Sequence, residues 1–162
     1  MEVVTFQSEV YKEFTGKLDA INHRLTAKEK EPKEKWLDNQ LSLPVGFRTQ
    51  TYLAQLHQMM VDSLKFKYPA NTYTLSNVYV GNVHFDASWF QGAMTAPDVV
   101  RWRVAWALSE LFVVSRISAF DDNPYALSSY YDLLLDNCLG NYRTLLEKIT
   151  YHPSMGVYLT FL

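Results

Sequence analysis

A chain of 162 residues buries roughly 68–70% of its unfolded surface, which suits one core and does not comfortably supply two. Apolar residues make up 48%, aromatic ones 15% and charged ones 20%, a composition that excludes intrinsic disorder and predicts a core rich in rings. With 15 Lys and Arg against 17 Asp and Glu, the formal charge of -2 offers no footprint for a phosphate backbone, so nucleic acid is not an expected partner.

The amino terminus carries acidic Glu2 where a leader has a basic stretch, and no long apolar run follows, so neither a signal peptide nor a membrane span is read. The compartment stays open, and an exported parent protein is compatible with this. Val3, Phe6, Val10, Phe14, Leu18, Ile21 and Leu25 recur at spacings of three and four. They predict an amphipathic helix suited to core packing, a helical hairpin or self-association. Lys28 to Lys35 reads KEKEPKEK, a mixed-charge linker or helix entry split by Pro32. It marks the best internal boundary, giving an N-terminal helix and linker over 1–31 and a helical domain over 32–162.

A short helix through Trp36, Leu37 and Leu41 ends before Pro44, and a longer one spans about residues 48–67. Residues 68–94 change character, being punctuated by Pro69, Asn71, Asn77, Gly81, Asn82 and Gly92. Val78, Val80, Val83 and Phe85 flank Gly81-Asn82, so a small β-hairpin near residues 78–85, with a type II′ turn, is expected; a long ordered loop is its rival. Helical signal returns at Ala96-Pro97-Asp98, where the Asp98 carboxylate can serve unpaired N–H groups, and it continues to Val114 or Ser115. Further helices are expected over about 124–139, over 142–149 and from Pro153. The sole cysteine, Cys138, excludes an internal disulfide framework and a CxxC metal site, and reads as a packed thiol. The chain is still apolar at Tyr158, Leu159, Phe161 and Leu162 with no helix stop, which predicts a fold truncated at its C-terminal end.

Several irregular motifs occur in a set order. Arg103-Val104-Ala105, Ala107-Leu108 and Phe112-Val113-Val114-Ser115 come first; Tyr130-Tyr131 and Gly140-Asn141-Tyr142-Arg143 follow; Thr150, His152-Pro153, Met155-Gly156 and Tyr158-Leu159 close the series. In these the chain resembles the large bacterial family called domain of unknown function 1800. Trp36-Leu37-Asp38-Asn39-Gln40 is similar to that family's early tryptophan segment, so the resemblance covers about residues 36–162. It implies a mostly helical protein, generally longer and often exported, with no activity to carry over. It also implies that this chain is the family's N-terminal part only, lacking the usual opening helix and a later asparagine- and glutamate-rich stretch.

Among polar candidates, His152 before Pro153 reads either as a base, ligand or pH-sensitive contact, or as a hydrogen-bonding group at the start of the last helix. His84 and Asp86 lie two apart and would share one side of a strand, where they could share a metal or clamp a polar ligand. Two residues make no metal site, no HExxH pattern exists, and no metal or cofactor is expected. Arg103 and Glu110 sit seven apart on the strongest apolar helix as an internal ion pair or cap. Arg143 can hold a turn carbonyl or pair with Asp132, Asp136 or Glu147. Asp121, Asp122, Asp132 and Asp136 show no fixed separation of the kind glycoside chemistry requires. Trp89, Phe90, Trp102, Trp106, Tyr125, Tyr130 and Tyr131 are mostly core by position, yet could line a sugar or peptide groove.

The expected fold is therefore mainly α, an irregular multi-helix bundle with the small hairpin at 78–85. The expected function is a helical structural or protein-interaction domain, partnered by another copy or by a missing C-terminal region. The alternative is part of a hydrolase or carbohydrate-active enzyme completed by that region. The site candidates are His84, Asp86, Trp102, Arg103, Glu110, Tyr131, Arg143 and His152.

Overall fold

A computed structural model describes residues 27–115, 120 and 123–160, with side chains from residue 32 onward. The chain divides into two compact units, residues 1–39 and 40–162. The helix expected at residues 3–25 lies outside the described residues, as do Asp121, Asp122, Phe161 and Leu162.

Seven helices occur among the described residues: α1 (Ala27–Ser42), α2 (Thr49–Lys67), α3 (Asn82–Thr95), α4 (Val99–Leu111), α5 (Pro124–Asn137), α6 (Tyr142–Thr150) and α7 (Pro153–Tyr158). The mixed-charge run is helical throughout, with Pro32 inside α1. None of these helices is long and apolar enough to cross a membrane.

The second unit is organised around α5, which packs against α2, α3, α4, α6 and α7. Its sequence explains that position. Asn123 caps it by accepting the Ala126 N–H at 3.1 Å, and Pro124 supplies a first turn whose missing N–H costs nothing there. Leu127, Tyr130 and Leu134 bury one stripe at helical spacing, while Ser128, Asp132 and Leu135 bury a second. Each fully buried leucine contributes about 1.5–3 kcal/mol, so α5 anchors the core with Phe85, Trp102, Ala105, Leu145 and Ile149.

No strand exists among the described residues, and the expected hairpin is absent. The type II′ turn needs positive φ at its glycine, but Gly81 has φ -111° and ψ -170° and caps the start of α3. Val83 and Phe85 belong to that helix. Val78 and Val80 instead run as a buried non-helical segment whose backbone is held from outside: the Val78 carbonyl accepts from His57 Nε2 at 3.0 Å. Upstream, Asn77 organises the loop by accepting the Thr74 N–H at 2.7 Å and donating to the Thr72 carbonyl at 2.8 Å.

A second departure concerns Asp98. It stands at the N-cap of α4 but makes no side-chain cap bond; its fully buried carboxylate faces the Gly46 N–H at 3.4 Å and Arg101 Nε at 3.2 Å. The Arg101 guanidinium also donates to the Leu43 and Leu135 carbonyls at 2.9 and 3.1 Å, tying the segment before α2 to the C-terminal end of α5. Gln40 donates to the Pro97 carbonyl at 3.1 Å and closes the same knot. At the other end of the unit, α7 stops at Tyr158 and Thr160 adopts a left-handed φ of 58°.

Candidate functional site

Two hollows stand on opposite flanks of α5's aromatic neighbours, one polar and one apolar. The polar hollow, about 380 Å³, is lined by residues of α2, α5, α6 and the start of α7. Asp132, on the buried side of α5, reaches the open N-terminus of α2. Its Oδ1 accepts the Thr49 N–H at 2.8 Å and lies 2.7 Å from Thr49 Oγ1; its Oδ2 accepts the Gln50 N–H at 3.1 Å. The first turn of a helix carries unpaired N–H groups and a positive partial charge, so a carboxylate from another element serves as its cap. Burial raises the Asp132 pKa above the ordinary carboxylate value, opposed by these hydrogen bonds and by Arg48. One turn further along α5, Asp136 makes a bidentate pair with Arg48 at 2.7 and 3.0 Å.

His152 completes the hollow. Its Nδ1 accepts the Ser154 N–H at 3.2 Å and so caps α7, while its Nε2 lies 3.4 Å from Ser129 Oγ. Burial lowers its pKa below the usual imidazole value. The Ser129 hydroxyl donates to the Ala126 carbonyl at 2.9 Å, and Lys148 donates to Asn137 Oδ1 at 2.8 Å. Each group able to do acid, base or nucleophile chemistry is thus committed to holding an element end or a neighbouring side chain. The arrangement joins four elements and presents no base aimed at a free hydroxyl.

The apolar hollow is a slot of about 520 Å³ between α3 and α4, lined by Trp89, Ala93, Val99, Trp102, Arg103 and Trp106. Helical spacing creates it: Trp89 and Ala93 are four apart on α3, while on α4 Trp102 and Arg103 follow Val99 by three and four positions and precede Trp106 by four and three. Trp102 is only 3% exposed, and its ring centroid sits 4.7 Å from Trp89 and 5.8 Å from Phe47. Trp106, one turn on, is 59% exposed. From Trp89 a line of rings continues to Tyr131 at 4.9 Å, Tyr130 at 6.1 Å and His152 at 5.4 Å, crossing the core to the polar hollow. Edge-to-face contacts of this kind add about 0.5–1.5 kcal/mol each beyond burial.

The sequence candidates distribute unevenly over these features. Trp102 and Arg103 meet in the slot, Tyr131 belongs to the ring line, and His152 lies in the polar hollow. His84 and Asp86 do not form a pair on one side: on a helix, residues two apart are about 200° apart. The His84 ring instead lies over the start of α3, with Nδ1 accepting the Gly81 N–H at 3.2 Å. Arg103 and Glu110 are both exposed, with no ion pair between them, and Arg143 is exposed on α6. Asp132 and Asp136, two of its expected partners, are engaged by the start of α2 and by Arg48. Cys138 is half-buried, donates weakly to the Leu135 carbonyl at 3.5 Å and has its pKa raised by burial, which suits a packed thiol. Arg48, Ser129 and Lys148 were not legible as site residues, because only the packing of α2 and α6 against α5 brings them to it. No group of three or more metal-ligating side chains occurs among the described residues.

A model of the family described as protein of unknown function (DUF1800) matches residues 19–161. The match begins well before Trp36 and spans nearly the whole chain rather than only its part from residue 36, which corrects the expected extent of 36–162. The physical reason is that an amphipathic stretch such as 19–35 carries its signal as periodicity and charge, compatible with many residue choices, whereas motifs are recognised by identity. No curated protein and no solved structure matches the chain.

Proposed function

The chain belongs to the DUF1800 family of proteins of unknown function, and from that starting point we propose that it is an interaction domain that receives a protein partner on the aromatic face of α3 and α4. The observation that carries this reading is the exposure of Trp106 beside two packed tryptophans. Folding alone gains nothing from leaving an indole in water at the mouth of an apolar slot, whereas a partner surface does. Phe90 and Met94, one position round α3 from Trp89 and Ala93, are exposed as well and extend the apolar surface beyond the slot. Tryptophan and arginine are also the side chains that most often dominate binding energy at protein interfaces.

The experiment is site-specific photo-crosslinking in the cells that make the protein. A benzoylphenylalanine at position 94 is expected to give a discrete adduct that Trp106→Ser abolishes, while the same probe at exposed Met59 on α2 gives none. Equal adducts from both positions, or an adduct insensitive to Trp106→Ser, would rule the reading out.

A further inference from the structure

We infer that the slot's partner is an acidic, apolar peptide segment, whose aromatic or branched aliphatic side chain enters between α3 and α4 while a neighbouring carboxylate pairs with Arg103. The inference rests on the interaction reading above and adds the chemistry of the partner. The slot walls contain no carboxylate: apart from Arg103 they consist of Trp89, Ala93, Val99, Trp102 and Trp106. Arg103 is exposed and has no hydrogen-bond or ion-pair partner among the described residues. This contrasts with its neighbour Arg101, which is held by Asp98 and two carbonyls, and with Arg48, held by Asp136.

A lone guanidinium at the edge of an apolar wall favours a carboxylate more than one in open solvent does, because the ring surfaces exclude water from one side of the pair. Its planar fork also accepts a carboxylate in two-point geometry. The alternation of apolar wall, cation and exposed apolar flank along two helices fits a short stretch of chain carrying apolar and acidic residues side by side. It fits a cationic segment poorly, since a lysine beside Arg103 is repelled.

Three of the protein's four tryptophans line the slot, so intrinsic fluorescence reports its occupancy directly. The full chain is titrated with acetyl-Glu-Phe-Glu-Leu-amide and with acetyl-Lys-Phe-Lys-Leu-amide. Saturable binding of the acidic peptide is expected, roughly tenfold tighter than the basic one, the worth of one charge-assisted hydrogen bond. Arg103→Glu, at an exposed position, is expected to reverse the preference, and Arg103→Gln to erase it; circular dichroism verifies that each variant is folded. Trp106→Ala is expected to weaken both peptides. The inference is overturned if the two peptides bind the parent chain equally, if the preference survives Arg103→Glu, or if the acidic peptide does not saturate. Equal binding that Trp106→Ala removes would leave the interaction reading standing while removing its acidic partner; absence of the position-94 adduct in a chain with Trp106 intact would instead remove the reading itself.

Discussion

The carboxylate of Asp132 caps the helix that begins at Thr49, 83 residues earlier in the chain, through two backbone N–H groups and one hydroxyl. Thr49 itself is fully buried, and its carbonyl accepts from Ser88 Oγ at 2.7 Å, so α2, α3 and α5 meet at one residue. Thr49 is buried between exposed Arg48 and Gln50, so its amide has no water to replace the cap that α5 supplies.

Replacing Asp132 by alanine leaves the buried Thr49 amide without its acceptor and is expected to cost about 2 kcal/mol, read as a lower urea midpoint. Asp136→Asn, one turn away, breaks a pair whose side chains are 45% and 39% exposed and is expected to cost under about 1 kcal/mol. Similar losses for the two variants would show that Asp132 does not act as the cap.

The ring stack has a similarly sharp requirement at Gly92. A Cβ there would stand 2.2 Å from Trp102 Cη2 and 2.7 Å from Phe47 Cδ1, so Gly92→Ala must push the indole out of place. Overpacking of this kind costs about 1–3 kcal/mol, and the near-ultraviolet circular dichroism of the tryptophans should change with it. At Gly140 a Cβ meets only the Asn137 carbonyl at 3.4 Å and φ is not positive, so Gly140→Ala is expected to be neutral or slightly stabilising. An unaltered tryptophan spectrum in folded Gly92→Ala would contradict this packing.

His57 has its tautomer set by its neighbours. The Val78 carbonyl can only accept, so Nε2 carries the hydrogen and Nδ1 accepts from the Tyr125 hydroxyl at 2.9 Å. Tyr125→Phe leaves a buried acceptor without a donor and is expected to cost about 1–3 kcal/mol. Nitrogen chemical shifts of the ring should report the Nε2-protonated form in the parent chain; the opposite tautomer would refute the assignment.

Buried Asp132 and half-buried His152 act in opposite directions on the acid side. The folded pKa of His152 is lowered from 6.5, so its contribution is complete above pH 6.5 and is lost as pH falls through the folded value, where protonation removes the Nδ1 acceptor that caps α7. The folded pKa of Asp132 is raised from 3.8, so its ionised form is disfavoured by folding, and the associated stability is complete below pH 3.8 and lost as pH rises through the folded value. His152→Asn keeps a capping acceptor but does not titrate. It is expected to flatten the decline in thermal midpoint below pH 6.5 while changing little at pH 8; a decline as steep as in the parent chain would remove His152 as its cause.

Much of the helical framework is written locally. The run from Arg48 to Lys67, the Asn123-Pro124 entry, the Gly140-Asn141 turn and the His152-Pro153 entry all carry caps, punctuation and apolar stripes within a few residues, and the corresponding helices start within a residue or so of the sequence reading. The stretch 78–85 misled because Gly81-Asn82 serves equally as a turn or as a helix entry, and alternation over so few residues does not separate strand from helix. The choice went to helix because Phe85, Ser88 and Gly92 bury at three- and four-residue spacing against the core, while Val78 finds its hydrogen-bond partner on His57 of α2.

The sequence by itself determined a mainly helical chain, most of its helix starts, the absence of a nucleic-acid charge signature and membership-bearing motifs from Trp36 onward. Only the tertiary structure decided which polar side chains are spent on the fold and which stay unpaired among the described residues. Asp132 and Arg48 are far apart in sequence, and nothing local distinguishes Arg101, bound on three sides, from Arg103 two residues later. A side chain's neighbours across the core set its desolvation and its hydrogen-bond partners, and those neighbours exist only once α5 has gathered the other helices around it.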